Sequence, residues 1–378
     1  MGSSLRTIAL GANDAWNLVN YRAGVITALQ DAGFTVAALA PPGPHAARFA
    51  EIGVRFYPLP IKPRGMSPTN DLKTFLGFVR LLKTIRPAAY LGFTAKPNIY
   101  GSLAARFCGI PVINNISGLG TSFARDGLLQ AFVAQLYRLA LRRSSTVFFQ
   151  NKDDLELFER RRLVRSGQAA LLPGSGVDLV RFSPSDRARD GGRFTFLFPA
   201  RLLWEKGVRE FVEAARCLAG RRDDVRFQIL GFVEPPGPSA VPREQLREWK
   251  EEGIIDYLGS SDDVRLSYSR ADCVVLPSFY REGVPRVLLE AAAMALPVIT
   301  TDMPGCRDAV DDRVTGLLCD PRSIDSLISA MESMVQMTVE ERCAMGLAGR
   351  RKMETQFDEA IVHRAYLDAL ARLGIIVS

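Results

Sequence analysis

Histidine is nearly absent: the chain carries only His45 and His363, far apart in sequence. A histidine-based metal centre or a Ser-His-Asp triad is therefore not expected. The six cysteines, Cys108, Cys217, Cys273, Cys306, Cys319 and Cys343, are scattered and include no C-x-x-C pair. That spacing argues against a zinc site and against a disulfide framework. Cys273 and Cys319 fall in apolar strand patterns and read as buried, reduced thiols. No apolar run approaches the ~20 residues of a membrane-spanning helix. Nor does Met1–Arg6 lead into a signal-peptide core, because a short strand and a polar loop follow at once. A cytoplasmic protein is the expectation. The first strand lacks a following G-x-G-x-x-G, which disfavours a dinucleotide oxidoreductase. Internal sequence repeats and low-complexity segments are also missing.

What is present is ordinary for a globular protein of about two domains: 378 residues, 47% hydrophobic and 24% charged. The net charge of +7 conceals an asymmetry. Residues 1–190 hold 24 Lys and Arg against 12 Asp and Glu, whereas residues 191–378 hold 24 against 29. A basic half joined to a mildly acidic one points to an anionic surface or ligand.

Apolar strands alternate with helical patterns throughout. In the first half the strands are Thr7–Leu10, Thr35–Leu39, Arg55–Leu59, Tyr90–Phe93, Val112–Ile116 and Thr146–Phe149, with helices at Tyr21–Ala32, His45–Ile52 and Leu72–Thr84. In the second half they are Thr195–Pro199, Arg226–Gly231, Ile254–Leu258, Asp272–Pro277, Val298–Thr301 and Gly316–Cys319. Repeated βα units predict two α/β domains, each a doubly wound parallel sheet, facing each other across a cleft. The polar stretch 182–193 is the expected boundary, giving domains 1–185 and 186–362. A helical pattern at 363–378 is expected to pack back on the first. The loop Pro173–Asp178 suits either an interdomain site or a plain Gly-rich turn.

The helix within Ile61–Arg86 is expected to bury Leu72, Phe75, Leu76, Val79 and Leu82, with Lys73, Arg80, Lys83 and Arg86 around its other side. With Lys62 and Arg64 just ahead, that basic side suits either bulk solvent or anionic lipid headgroups. Arg160, Arg161, Arg162 and Arg165 form a second basic cluster. Aromatic residues do not interleave with it and no nucleic-acid-binding motif occurs, so nucleic acid is not an expected partner.

The stretch Val274–Asp302 organises the second half. It predicts a buried strand, a polar loop carrying Glu282 and Gly283, a helix from Pro285 to Ala295 and another buried strand. Glu282 and Glu290 are two acceptor-only groups beside a helix N-terminus, which suits a ligand rich in hydroxyls and phosphate. They also suit a solvated loop glutamate and one stabilised by the helix dipole. Upstream, Arg201 and Lys206 flank a strand-to-helix turn. Both can reach one diphosphate, or pair with Glu205 or Glu210 on the surface. Their substitution is expected to impair turnover more than folding.

The string Glu282-Gly283-Val284-Pro285-Arg286-Val287-Leu288-Leu289-Glu290, followed by Pro297-Val298-Ile299-Thr300-Thr301-Asp302, resembles the nucleotide-sugar signature of family 4 retaining glycosyltransferases. With Pro199–Phe211, the likeness extends over nearly the whole chain and implies a GT-B fold. It implies that Arg201 and Lys206 hold the donor diphosphate and, with Glu282 at the donor sugar, form the catalytic set. Glu290 would bind the ribose, Gly231 and the main chain near Leu258 would shape the nucleotide pocket, and Gly283 and Val284 would present backbone donors. The strings Ala15–Asn17, Tyr21–Arg22, Lys96–Gly101 and Asn114–Gly120 resemble a narrower group that extends lipid-linked sugars in bacterial glycan assembly. On that likeness Asn13, Asn17, Lys96, Ser117 and Gly118, in the loops Gly11–Asn17 and Ser117–Thr121, would meet the acceptor; loop Asn and Gly also serve turns.

The implied reaction moves a sugar, N-acetylgalactosamine or another N-acetylhexosamine first, from a UDP-sugar donor to an undecaprenyl-diphosphate-linked saccharide. The enzyme would sit peripherally on the cytoplasmic face of the inner membrane. D-x-D occurs nowhere in the chain, so no metal and no cofactor are expected. A sugar-nucleotide-binding membrane scaffold without activity and a nucleotide-sugar epimerase are the competing readings. Two departures from the family stand out: its usual histidine near the reacting centre has no counterpart in the matching strings, and Leu296 stands where glycine is common.

Overall fold

The computed structural model describes residues 6–62, 67–119, 128–184, 192–261 and 263–376. The chain forms two compact units, Met1–Ser175 with Glu359–Ser378, and Gly176–Asp358. In the first, β1 (Thr7–Gly11), β2 (Thr35–Ala40), β3 (Arg55–Pro58), β4 (Ala89–Phe93), β5 (Val112–Ile116), β6 (Thr146–Phe149) and β7 (Ala169–Leu171) form one sheet. Its order is β3-β2-β1-β4-β5-β6-β7, and every pairing is parallel. Helices on both faces explain why β4 and β5 are buried along their whole length.

Two asparagines interrupt the apolar run of β5, and a polar network satisfies them. Asn114 Nδ2 donates to Asn98 Oδ1 and Ser102 Oγ at 2.8 Å each, and Ser144 Oγ donates to Asn114 Oδ1. Asn115 Nδ2 donates to the Tyr366 hydroxyl at 2.8 Å. Tyr366 lies on the helix Glu359–Ala371, which joins the first unit's core through Val362, Tyr366, Ala369 and Leu370, beside Ile26, Leu29, Phe93 and Phe148.

The second unit holds β8 (Phe194–Pro199), β9 (Val225–Leu230), β10 (Asp256–Tyr257), β11 (Cys273–Leu276), β12 (Val298–Thr301) and β13 (Gly316–Cys319). They form a six-stranded sheet in the order β10-β9-β8-β11-β12-β13, again all parallel. Its core is one large apolar cluster. Val177 and Phe182 belong to that cluster, and Val177 N donates to Phe357 O. The second unit therefore begins at Gly176, ahead of the polar stretch 182–193; residues 185–191 of that stretch lie outside the described residues.

Several local expectations are corrected. Tyr21–Ala32 is two helices, Ala15–Tyr21 and Ala23–Asp31, meeting at Arg22. His45–Ile52 is a 3₁₀ turn followed by a single helical turn. Ile254–Leu258 shortens to the two residues of β10. Pro285 caps the helix Arg286–Ala293 from outside instead of opening it.

The helix Pro68–Ile85 is turned from the expected orientation. It buries Asp71, Thr74, Phe78 and Leu82, while Leu72 is 57% and Leu76 54% exposed. Lys96 Nζ binds Asp71 Oδ1 at 2.7 Å, and this buried pair draws Asp71 inward. Residues 74, 78 and 82 follow it on the same side by helical periodicity. Leu72 and Leu76 then stand on the exposed side with Lys73, Arg80 and Lys83.

Candidate active site

Each sheet reverses its strand order once, between β1 and β4 in the first unit and between β8 and β11 in the second. Ligand sites of open α/β sheets lie beyond the carboxyl ends of the strands at such a reversal. In the second unit β8 and β11 pair only at Phe196 with Cys273 and Leu197 with Val274. Past those pairs the β8–β11 register ends, and the loops that follow carry the charged residues.

Lys206, after β8, reaches across to Glu282, after β11, with Nζ 2.5 Å from Oε2. The two side chains are only 14% and 13% exposed. The Ser278 hydroxyl lies 2.7 Å from Glu282 Oε1 and 3.1 Å from the Glu205 carbonyl, and Phe279 N donates to that carbonyl at 3.0 Å. Thr301 Oγ1 donates to the Ser278 carbonyl from β12. The two loops are thus laced together. Buried Cys306 is pushed up to about 12 by burial first, with Glu282 adding to the rise and Lys206 opposing it. Arg201 turns elsewhere: Nη1 donates to Glu234 Oε1 at 3.0 Å, with the arginine side chain 43% exposed. Neither cation takes the Glu205 or Glu210 partner that surface pairing suggested.

Glu290 lies in the helix after this loop and is 8% exposed. Arg286 Nε stands 3.2 Å from its Oε1, and the Tyr268 hydroxyl donates to its Oε2 at 3.3 Å. Burial raises its carboxyl above the usual glutamate range, against the opposing pull of Arg286 and the Tyr268 bond. Gly231 follows β9, where a Cβ would overlap the Ala200 main chain, so only glycine lets the ends of β8 and β9 approach. Tyr257 OH donates to Gly231 O at 2.7 Å. Leu258 bonds Ile229 O through its main chain while its side chain is 42% exposed. Val284 is a core residue, 6% exposed, so a ligand would meet its backbone only. The Gly283 carbonyl abuts Gly305, which has φ +85° and no room for a Cβ.

At the first unit's reversal, Asn13 N donates to Thr94 Oγ1 at 3.0 Å, tying the loop after β1 to the loop after β4. Thr94 holds a left-handed backbone, φ 65°, an uncommon state for a β-branched residue that recurs at functional sites. Asp14 caps the first helix by accepting from Asn17 N at 2.7 Å. Among the described residues the side-chain oxygens of Asn13 and Asn17 are buried without a hydrogen-bond partner, which leaves two acceptors for hydroxyl donors at this edge. Lys96 is a different matter: 8% exposed and paired with Asp71, it is already neutralised. Burial first, and the same aspartate after it, push the Tyr100 hydroxyl up to about 12. Ser117 and Gly118 follow β5, Gly118 with φ 104°; Arg64, Gly120 and Thr121 lie outside the described residues.

Sequence reasoning missed Glu234, Ser278, Tyr268, Thr94 and Asp71. Ser278 and Thr94 carried a usable signal, each standing just past the carboxyl end of a strand beside a sheet reversal. Chemically, the second unit offers two cations on one loop, a carboxylate and a helix N-terminus, a set suited to a departing anion. Among the described residues no group of three or more His, Cys, Asp or Glu is gathered as a metal site.

Comparisons agree over both halves. The profile for the glycosyl transferase 4-like domain matches residues 18–175, and that for glycosyl transferases group 1 matches residues 181–352. The chain is 25% identical over 374 residues to the N,N'-diacetylbacillosaminyl-diphospho-undecaprenol alpha-1,3-N-acetylgalactosaminyltransferase of Campylobacter jejuni, covering 94% of this chain and 96% of that protein. It is also 25% identical to the UDP-Gal:alpha-D-GlcNAc-diphosphoundecaprenol alpha-1,3-galactosyltransferase of Escherichia coli, over 75% of each chain. Among solved structures, the sucrose-phosphate synthase of Thermosynechococcus elongatus superposes with a TM-score of 0.80 at 19% identity, covering 97% of this chain and 99% of that one. HepE of Anabaena, in complex with UDP and glucose, gives 0.79 at 15%, over 97% of this chain and 100% of that one. Two reversed parallel sheets and two matching profiles, one to each half, lead to one assignment: the chain belongs to the GT4-type glycosyltransferases and is a hexosyltransferase of the GT-B fold.

Proposed function

We propose that the enzyme transfers an N-acetylhexosamine, N-acetylgalactosamine first, from a UDP-sugar to a sugar borne on undecaprenyl diphosphate, with retention and without a resident metal. The observation that carries this reading is the cationic loop after β8. Lys206 sits at the sheet reversal against Glu282, and Arg201 keeps Nε and Nη2 unbonded among the described residues. Both cations would hold the donor diphosphate as negative charge develops on it. The bond between anomeric carbon and diphosphate oxygen breaks, the acceptor hydroxyl oxygen bonds the same face of that carbon, and its proton passes to the departing diphosphate. Buried Glu290 would take the ribose hydroxyls.

The acceptor class is supported by the two relatives named above, both named for sugars on undecaprenyl diphosphate. Their sugars differ, one N-acetylgalactosamine and one galactose, so the donor is chosen by experiment. The side-chain oxygens of Asn13 and Asn17, unpaired among the described residues, would receive acceptor hydroxyls. An anionic bilayer would meet the exposed side of Pro68–Ile85, where Leu72 and Leu76 stand among Lys73, Arg80 and Lys83. Among the described residues no helix is long and apolar enough to cross a membrane.

The test offers UDP-N-acetylgalactosamine, UDP-N-acetylglucosamine, UDP-galactose and UDP-glucose with a polyprenyl-diphosphate-linked monosaccharide, with and without chelator. The expected product is an α-linked disaccharide formed from one N-acetylhexosamine donor and insensitive to chelator. A β-linked product would overturn retention. Activity lost to chelator and restored by manganese would overturn metal independence, and donor conversion without acceptor would turn the assignment to an epimerase.

A further inference from the structure

The β8 loop is held by a segment outside every motif described above. Residues 232–242, FVEPPGPSAVP, run from the end of β9 to the helix Arg243–Glu251 and contain Pro235, Pro236, Pro238 and Pro242. Prolines at this density restrict the backbone before any contact forms. The segment touches each successive residue from Arg201 to Glu205. Arg201 Nη1 donates to Glu234 Oε1 at 3.0 Å. Leu202 N donates to Phe232 O at 3.2 Å, and Val241 N donates to Leu202 O at 3.1 Å. Leu203 bridges Ala240. Trp204 N donates to Ser239 O at 2.9 Å, and Ser239 Oγ donates to Glu205 Oε1 at 2.6 Å.

We propose that segment 232–242 is a clamp that sets the diphosphate-binding loop before the donor arrives, and that Glu234 is the positioning residue that aims the Arg201 guanidinium. The inference rests on the reading of Arg201 as a diphosphate ligand. Its physical basis is the fork of the guanidinium. Glu234 is the more buried partner, its side chain 12% exposed against 43% for Arg201, so it acts as the fixed anchor. On the Arg201 guanidinium it engages Nη1, which among the described residues leaves the Nε and Nη2 edge for a phosphate to take two parallel bonds. A long side chain held in this way has little rotamer freedom left to lose on binding. That saving applies equally to the bound donor and to the transition state, so it falls on KM and not on kcat.

Removing the anchor should therefore weaken diphosphate binding about three- to tenfold, the usual penalty for ordering one long side chain. The experiment measures UDP affinity by calorimetry and donor kinetics for Glu234→Ala, Glu234→Gln, Arg201→Ala and the double variant, each in the full chain. Amide exchange at Leu202 and Trp204 is followed in parallel. The expected result is a raised UDP Kd and donor KM for Glu234→Ala with kcat within about twofold. Glu234→Gln, which keeps an acceptor oxygen, should fall between, and Glu234→Ala should add nothing once Arg201 is absent. A Glu234→Ala protein that binds UDP unchanged or more tightly, or whose loss persists beside Arg201→Ala, overturns the positioning role. Should Arg201→Ala leave UDP binding intact, the diphosphate reading of Arg201 fails. The clamp itself is judged by exchange: Glu234→Ala and Ser239→Ala should speed it at Leu202 and Trp204, and unchanged protection there overturns it.

Discussion

Replacing Lys206 by methionine should damage stability as well as turnover, a change from the expectation drawn from sequence, because Lys206 is a member of a nearly buried ion pair. Nζ and Glu282 Oε2 are 2.5 Å apart, with side chains 14% and 13% exposed. Methionine removes the cation and leaves the Glu282 carboxylate in place beside the Ser278 hydroxyl. Deleting one partner of a buried pair costs about 3–5 kcal/mol, and the residual exposure here brings the expectation to about 2–4 kcal/mol. Glu282→Leu should cost a similar amount from the other side. The double variant removes both charges, so its loss should fall short of the sum of the singles by about 2 kcal/mol. Urea unfolding followed by tryptophan fluorescence reads this well, since Trp204 and Trp249 lie in the second unit and Trp16 alone in the first. A Trp16→Phe background isolates the signal. Losses that add to within about 0.5 kcal/mol would refute the coupling. Arg201→Ala provides the contrast: its exposed pair contributes no more than about 1 kcal/mol, so turnover should collapse while the unfolding curve barely moves.

Other expectations follow from the same geometry. Because burial raises the Glu290 carboxyl above its ordinary range, its contribution to stability is full below the unfolded glutamate value, about 4.3, and is lost as pH rises through the raised value. Glu290→Gln should therefore gain on the parent protein as pH climbs from 4 to 7; a constant difference would contradict this. Gly231→Ala forces a Cβ into the Ala200 main chain and should cost about 3 kcal/mol, so a melting temperature lowered by less than 2 °C, read by calorimetry, would count against it. Leu72→Ser with Leu76→Ser should reduce binding to anionic vesicles about tenfold, given the apolar area the two residues expose. Unaltered sedimentation with the vesicles would refute a membrane contact through Pro68–Ile85.

The fold was legible because a parallel sheet demands near-continuous apolar strands, and β6, β12 and β13 stand where the expected strands were placed. Short elements were not: β7 has three residues and β10 two, too few for a periodic signal. The helix Pro68–Ile85 was misjudged because hydropathy alone cannot see that Asp71 would be neutralised by Lys96, 25 residues on. For the same reason the sequence could not show that Lys96 pairs with Asp71 in a buried position. Asn98, Asn114 and Asn115, part of the strings that suggested an acceptor group, satisfy one another, their neighbours and Tyr366 within the core. At the loop after β8 the charged residues were legible while their partners were not. Lys206 finds Glu282 and Arg201 finds Glu234 only because β8 lies between β9 and β11 in the sheet.

The return of Glu359–Ala371 to the first unit has a consequence for the nascent chain. A ribosome completes residues 1–175 long before it reaches the helix that covers Ile26, Leu29, Phe93 and Phe148. At about 5–20 residues per second, translating 176–358 takes roughly 10–40 s, and throughout that interval the groove awaiting Tyr366 is open to chaperones and to other chains. Order of synthesis and order of folding are therefore inverted: the unit begun first is the unit finished last.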